Sequence, residues 1–176
     1  MPLYSISVQP WATKIDGLII NKDAATKWCL LPYPGHPKGC PNYNKPGEIT
    51  CPPVAPFVWD VFDHPLWLIT AEFDLGAHVA GMARKFPDWS DRQLRNVLYW
   101  QGGNKKVLRQ RTMRGMRLTG LKAYTYRPEA MGVNVYATAA LAGIKLDKIK
   151  DMRICTHIAL IGARRTRPPQ KRRIIT

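Results

Sequence analysis

The chain has 176 residues, 45% of them hydrophobic, enough to bury a core as a single domain. No apolar run approaches the roughly 20 residues of a membrane span, and the first residues lack the basic-then-apolar order of a secretory leader, so membrane and secreted classes are disfavoured and a cytoplasmic protein is expected. The formal net charge of +15 sits in one half: residues 1–88 carry 7 Lys/Arg against 8 Asp/Glu, residues 89–176 carry 20 against 4. With a pI near 10.0, that asymmetry is the electrostatic footprint of a polyanion binder, and the expected partner is nucleic acid, RNA or DNA. The plain alternative is a solvated basic surface; a third is a face that docks an acidic protein.

In chain order, residues 3–8 and 16–20 read as two short strands, a hairpin interrupted by Pro10 and Trp11. Residues 27–53 then form a long irregular segment. Cys29, Cys40 and Cys51 lie in it with ten residues between each successive pair, and five prolines and three glycines between the first and the last exclude a regular helix or a central strand. Val58, Val61 and Phe62 have helical spacing in a short stretch limited by prolines. Residues 66–75 form the best strand, too apolar for an edge.

A helix follows at 76–85, stopped by Phe86-Pro87, and Ser90 caps another over 91–101. Gly102 and Gly103 break or kink it before a second helical stretch at 104–117. There Lys106, Arg109 and Arg117 fall near one face, with Lys105, Arg111 and Arg114 alongside, a stripe able to track a phosphate backbone. Residues 123–126 read as a short strand, 128–142 as a helix opened by Pro128 and closed by Gly143, and 155–163 as a final strand. The C-terminal residues 164–176 form a basic tail, with Arg164, Arg165, Arg167, Lys171, Arg172 and Arg173 poor in apolar company and suited to docking on a partner. The expected fold is α+β: one domain over 1–163, with helices packed on a single mixed or antiparallel sheet and a long cysteine-rich metal-binding loop.

Thiolates select soft metals, so the three loop cysteines point to an iron–sulfur cluster or to zinc. Zinc at a structural site takes four closed ligands, and His36 would complete a Cys₃His set, although the spacing is wider than in zinc fingers. A cluster, expected as 4Fe-4S, suits the wide Pro/Gly-rich loop and the prolines after Cys40 and Cys51. Its fourth ligand would be Cys155, if that strand passes the loop, or otherwise His, water or substrate. Disulfides are the alternative in an oxidising compartment. No Ser/His/Asp order, HExxH or phosphate-binding GxxxxGK[ST] occurs, so no catalytic residue is assigned. Trp28, Tyr33 and Tyr43 flank the loop and can shield a metal centre or stack on bases.

The segment from Cys29 through CPNYNKPGEITCPP resembles the N-terminal motif of an uncharacterised family of predicted metal-binding proteins, in which widely spaced cysteines precede Cys-Pro-Pro. RPEAMGVNVYATAALAGIKL, followed by THIALIGA, is similar to that family's C-terminal helix and closing strand. Members commonly carry a second group of cysteines, which here is replaced by the basic residues 102–126. The resemblance implies metal binding, with an iron–sulfur centre expected, and brings no reaction with it. Two functions are carried forward: an iron–sulfur protein with a nucleic-acid-binding half, and a non-catalytic nucleic-acid-binding or ribonucleoprotein subunit whose metal is a structural zinc.

Overall fold

A computed structural model describes residues 6–21, 27–32, 36–147 and 153–166. The fold is α+β, built on one open sheet in which every pairing is antiparallel. The strands are β1 (Ala12–Ile15), β2 (Phe62–Asp74), β3 (Ala123–Thr125) and β4 (Ile154–Arg164), in the order β1-β2-β4-β3. The helices are α1 (Val58–Val61), α2 (Leu75–Lys85), α3 (Asp91–Leu94), α4 (Gln101–Thr119) and α5 (Val135–Leu141).

The spine is the long β2–β4 pair, in register from Phe62↔Arg164 to Asp74↔Ile154. It shifts once, between Asp63 and Leu66, where Pro65 has no N–H to give the ladder. Residues 66–71 of β2 are all buried, because both faces of the sheet are covered. Leu66, Leu68 and Leu160 pack on one face with Val58, Met131, Val133 and Ala139. Trp67, Ile69, Ala159 and Ile161 pack on the other with Ile6, Trp11 and Leu108 of α4. Each such Leu or Ile contributes about 1.5–3 kcal/mol when fully buried.

α4 is held by a narrow seam. Leu108, Thr112 and Gly115 face the sheet, and Thr112 returns its hydroxyl to Leu108 O at 2.8 Å, so no buried donor is stranded. A Cβ on Gly115 would stand 3.3 Å from both Ile69 Cδ1 and Ile161 Cδ1, so its absence lets the helix backbone lie close to the strands. Asn104, also buried, donates through Nδ2 to Ala71 O (3.1 Å) and contacts His157 Nδ1 (3.0 Å), which bolts the N-terminal end of α4 to both central strands.

Several elements differ from the sequence expectations. Ile6–Val8 is a 3-10 turn rather than a strand, and the first strand lies at 12–15 instead of 16–20. Trp11 decides this: it is buried, and its carbonyl accepts from Thr70 N–H at 2.9 Å, while Ile20 makes only an isolated bridge to Val133. The helix expected over 91–101 ends at Leu94, because Asn96 turns its side chain onto Leu98 N–H (3.0 Å) and opens a 3-10 turn at Val97–Tyr99. α4 then begins at Gln101 and takes Gly102 and Gly103 into its first turn, where backbone N–H groups need no intrahelical acceptor. The expected helix 128–142 is divided by Gly132 (φ 89°) into a 3-10 turn at Pro128–Met131 and α5, which Asn134 caps by accepting from Ala137 N–H at 3.0 Å. Arg164 and Arg165 continue from the sheet: Arg165 N–H donates to Val61 O at 2.9 Å, and its guanidinium donates to Trp59 O.

Candidate metal loop and the adjoining cavity

The cysteine loop is tied back on itself by backbone bonds. Cys40 N–H donates to Cys29 O (2.7 Å), Tyr43 N–H to Cys40 O (3.0 Å), and Asn44 N–H to Pro52 O (3.0 Å). Gly39 makes the first crossing possible. Its φ is +88°, and a Cβ there would lie 2.3 Å from Cys29 O. All four cysteines are free thiols. Burial pushes the Cys29 thiol up, and the charges of Cys40, Cys51 and Glu129 push it further. Cys51 is raised by burial and by Glu48 and Cys40, against the pull of Arg127. The three loop cysteines therefore share one electrostatic neighbourhood. Burial and nearby negative charge thus disfavour the thiolates of Cys29 and Cys51, and a cation beside them would favour those thiolates.

Arg127, between β3 and the 3-10 turn at Pro128–Met131, clamps the end of the loop. Its guanidinium donates to Cys51 Sγ at 2.9 Å and to Thr50 Oγ1 at 2.8 Å, and lies 3.1 Å from Glu48 Oε2. Glu48 Oε1 accepts from Thr50 N–H at 2.9 Å and from the Thr50 hydroxyl. These bonds from Thr50, followed by Arg127, hold the Glu48 carboxyl down to about 2.

The two candidates for a fourth ligand lie in different parts of the structure. His36 is exposed beside Cys40, in a shallow hollow of about 390 Å³. Cys155 is on β4, buried against Leu75 and Trp100, and burial alone raises its thiol. Among the described residues, no three His, Cys, Asp or Glu side chains converge as the ligands of one ion.

The basic residues of α4 surround its solvent side. Lys105, Lys106, Arg109, Arg114 and Arg117 are exposed, and none has a carboxylate partner among the described residues. Arg111 is the exception in role: half-buried, it donates to Thr70 O at 2.8 Å and so ties α4 to β2. Arg164 is exposed at the end of β4; Arg167, Lys171, Arg172 and Arg173 lie outside the described residues, as does Tyr33.

Lys105 and Arg109 border a cavity of about 890 Å³ that the sequence reading missed. It opens where β3 stops: β3 pairs with β4 only at residues 160–162, so the same edge of β4 from 154 to 159 has no strand beside it among the described residues. Tyr124 and Tyr126 form another wall, with ring centroids 5.3 Å apart at 63°. Tyr126 is half-buried against the cluster of Ile69, Leu108 and Ile161, and burial pushes its hydroxyl up. Trp28 and Thr50, neighbours of Cys29 and Cys51, line the same space, so the loop and the cavity are continuous. Glu129 stands at its mouth; solvent reaches the residue, yet the surrounding protein raises its carboxyl. The period-two pair Tyr124/Tyr126 was the sequence signal available for this wall.

Fold and site together define an α+β protein on an open antiparallel four-stranded sheet, with a three-thiol loop beside a cationic, tyrosine-walled cavity. Comparison of the chain with protein-family models, with curated proteins and with solved structures returned no match. No helix among the described residues is long and apolar enough to cross a membrane.

Proposed function

We propose that the chain is a thiolate metalloprotein whose Cys29, Cys40 and Cys51 hold an iron–sulfur cluster and whose basic half binds RNA or DNA. The carrying observation is that three free thiols from separate points of one loop lie within electrostatic reach of each other, in a loop that Gly39 and Arg127 hold closed. Their softness fits iron or zinc rather than calcium or magnesium. Resemblance to the predicted metal-binding family points to the same three residues.

Bound there, a cluster would supply electron transfer, or a Lewis-acid position at an iron without a thiolate. This chain's own contribution is separable. Arg127 stabilises negative charge on Cys51 Sγ through a charge-assisted hydrogen bond, and Glu48 keeps Arg127 in place. The exposed cations of α4, which have no carboxylate partner among the described residues, would supply the phosphate contacts.

Anaerobically purified protein tests the reading. Brown protein containing iron and acid-labile sulfide, whose nucleic-acid binding falls steeply with salt, is the expected result. Colourless protein with stoichiometric zinc would replace the cluster by a structural metal, and protein free of iron and zinc after anaerobic purification would remove the metal reading altogether.

A further inference from the structure

We propose that the cavity beside β4 is a nucleotide site, in which a base stacks on the Tyr124–Tyr126 wall and the phosphate rests on Lys105 and Arg109. The inference rests on the reading of the basic half as a nucleic-acid binder and names the unit that is recognised.

Size and composition agree with such a ligand. The cavity's volume of about 890 Å³ lies within the roughly 300–1,000 Å³ of small-molecule sites. Its cations are unequally available. Arg127 is engaged by Glu48, Thr50 and Cys51, whereas Lys105 and Arg109, one helical turn apart, have no carboxylate partner among the described residues; Lys105 Nζ donates to the neutral Gln101 Oε1 at 2.8 Å, which leaves its charge uncompensated. Asp147 Oδ2 accepts from both Arg153 N–H (2.9 Å) and Ile154 N–H (2.8 Å), which ties that carboxylate to the start of β4. The anion-accepting end of the cavity is therefore the α4 wall.

The opposite requirements of a base are met nearby. Tyr126 is packed against the core residues Ile69, Leu108 and Ile161, so its ring is positioned before a ligand arrives, and Tyr124 stands edge-on to it with 47% of its surface exposed. A base stacked on an aromatic ring gains about 1–3 kcal/mol. Along an antiparallel strand the N–H and C=O groups of alternate residues point to alternate sides. Between 155 and 159, alternate residues of β4 thus turn main-chain donors and acceptors toward the side that has no strand beside it among the described residues, suited to a base edge. Glu129 at the mouth offers an acceptor for a ribose hydroxyl or an exocyclic amine.

The test is calorimetric titration of the full chain with adenosine and uridine 5′-monophosphates, with adenosine, and with a 5′-phosphorylated single strand of about ten nucleotides. The proposal expects saturable binding of a monophosphate, weakened about tenfold or more by removing the phosphate or by the double substitution Lys105→Ala/Arg109→Ala. Tyr124→Ala, at an exposed position that leaves the core intact, is expected to weaken it as well. Arg114→Ala/Arg117→Ala, on the outer side of α4, should leave the monophosphate unaffected and weaken the strand. A strand that binds far more tightly than the monophosphate, with loss in the Lys105/Arg109 variant, identifies the unit as part of a polymer; equal affinities identify a free nucleotide. If the strand binds but the cavity variants change nothing, the cavity proposal is overturned and the nucleic-acid reading stands. If no nucleotide or strand binds at all, both are overturned.

Discussion

Asn104 is the bolt between the basic helix and the sheet, and removing it has a calculable cost. The residue is 5% exposed. Its Nδ2 serves Ala71 O at 3.1 Å and His157 Nδ1 at 3.0 Å. Both amide hydrogens are thereby used, His157 Nδ1 is the acceptor, and the imidazole proton resides on Nε2. Asn104→Ala strands one buried carbonyl and one half-buried ring nitrogen, at about 1–3 kcal/mol for a buried acceptor. Because water can reach the imidazole, a total near 2–3 kcal/mol is expected, and at about 2–4 °C per kcal/mol for a chain of this length the melting temperature should fall about 5–10 °C. The same contact gives a pH signature. Burial, then Lys105, holds His157 below its ordinary 6.5. The unfolded chain takes up this proton near 6.5 while the folded protein does not, so this part of the stability is intact above 6.5 and is lost as pH falls from there through the lower folded value. Thermal melts of the wild type, Asn104→Ala and His157→Gln at about pH 8 and about pH 5.5 measure both effects. The loss on acidification should be smaller in His157→Gln. A melting temperature unchanged by Asn104→Ala, or an identical acid loss without His157, would refute the reasoning.

Gly39→Ala forces a side chain into the left-handed region and against Cys29 O; the conformation alone costs about 1–2 kcal/mol. Tryptic cleavage after Lys38 should accelerate, and an unchanged digestion pattern would contradict the crossing. Arg127→Met removes the group that draws the Cys51 thiol down against burial. Alkylation of the Cys51 peptide, followed by mass spectrometry, should then require higher pH; a profile shifted to lower pH would show that the clamp does not stabilise the thiolate. Arg114→Ala/Arg117→Ala should flatten the dependence of log K on log salt by about 1–2 for a single strand. An unaltered slope would remove the outer face of α4 from the interface.

What the sequence discloses follows from which forces are local. The run at 66–75 is apolar on both faces, and a strand of that kind has only a central position open to it, where β2 indeed lies. Ser90 opens α3 through local geometry, with Gln93 Oε1 accepting from Ser90 N–H at 2.9 Å, whereas the end of α4, expected at 117, lies at Thr119, where Gly120 closes it at φ 73°. The N-terminal strand was misplaced because Trp11 gains its burial from Leu108 and Ile69, residues far away in the chain. Likewise Gly132 sits in a periodic apolar pattern that conceals its positive φ. The even spacing of the loop cysteines is visible in the sequence. The cavity is not, since its walls come from α4, β3, β4 and the loop, which lie far apart in the chain, and Arg127 gave no local sign that it would reach Cys51 across 76 positions. Arg111 looked like one more surface cation until its contact with Thr70 O showed it to be part of the packing.

Metal content of four single variants tests the central claim most directly. Cys29→Ser, Cys40→Ser, Cys51→Ser and Cys155→Ser, purified anaerobically beside the wild type, should be assayed for iron, zinc and acid-labile sulfide per chain, with melting temperatures to confirm folding. The account predicts a loss of iron and sulfide in each of the three loop variants and retention in Cys155→Ser, whose thiol is packed against Leu75 and Trp100. Folded loop variants that keep the full metal content of the wild type, or a loss confined to Cys155→Ser, would contradict it.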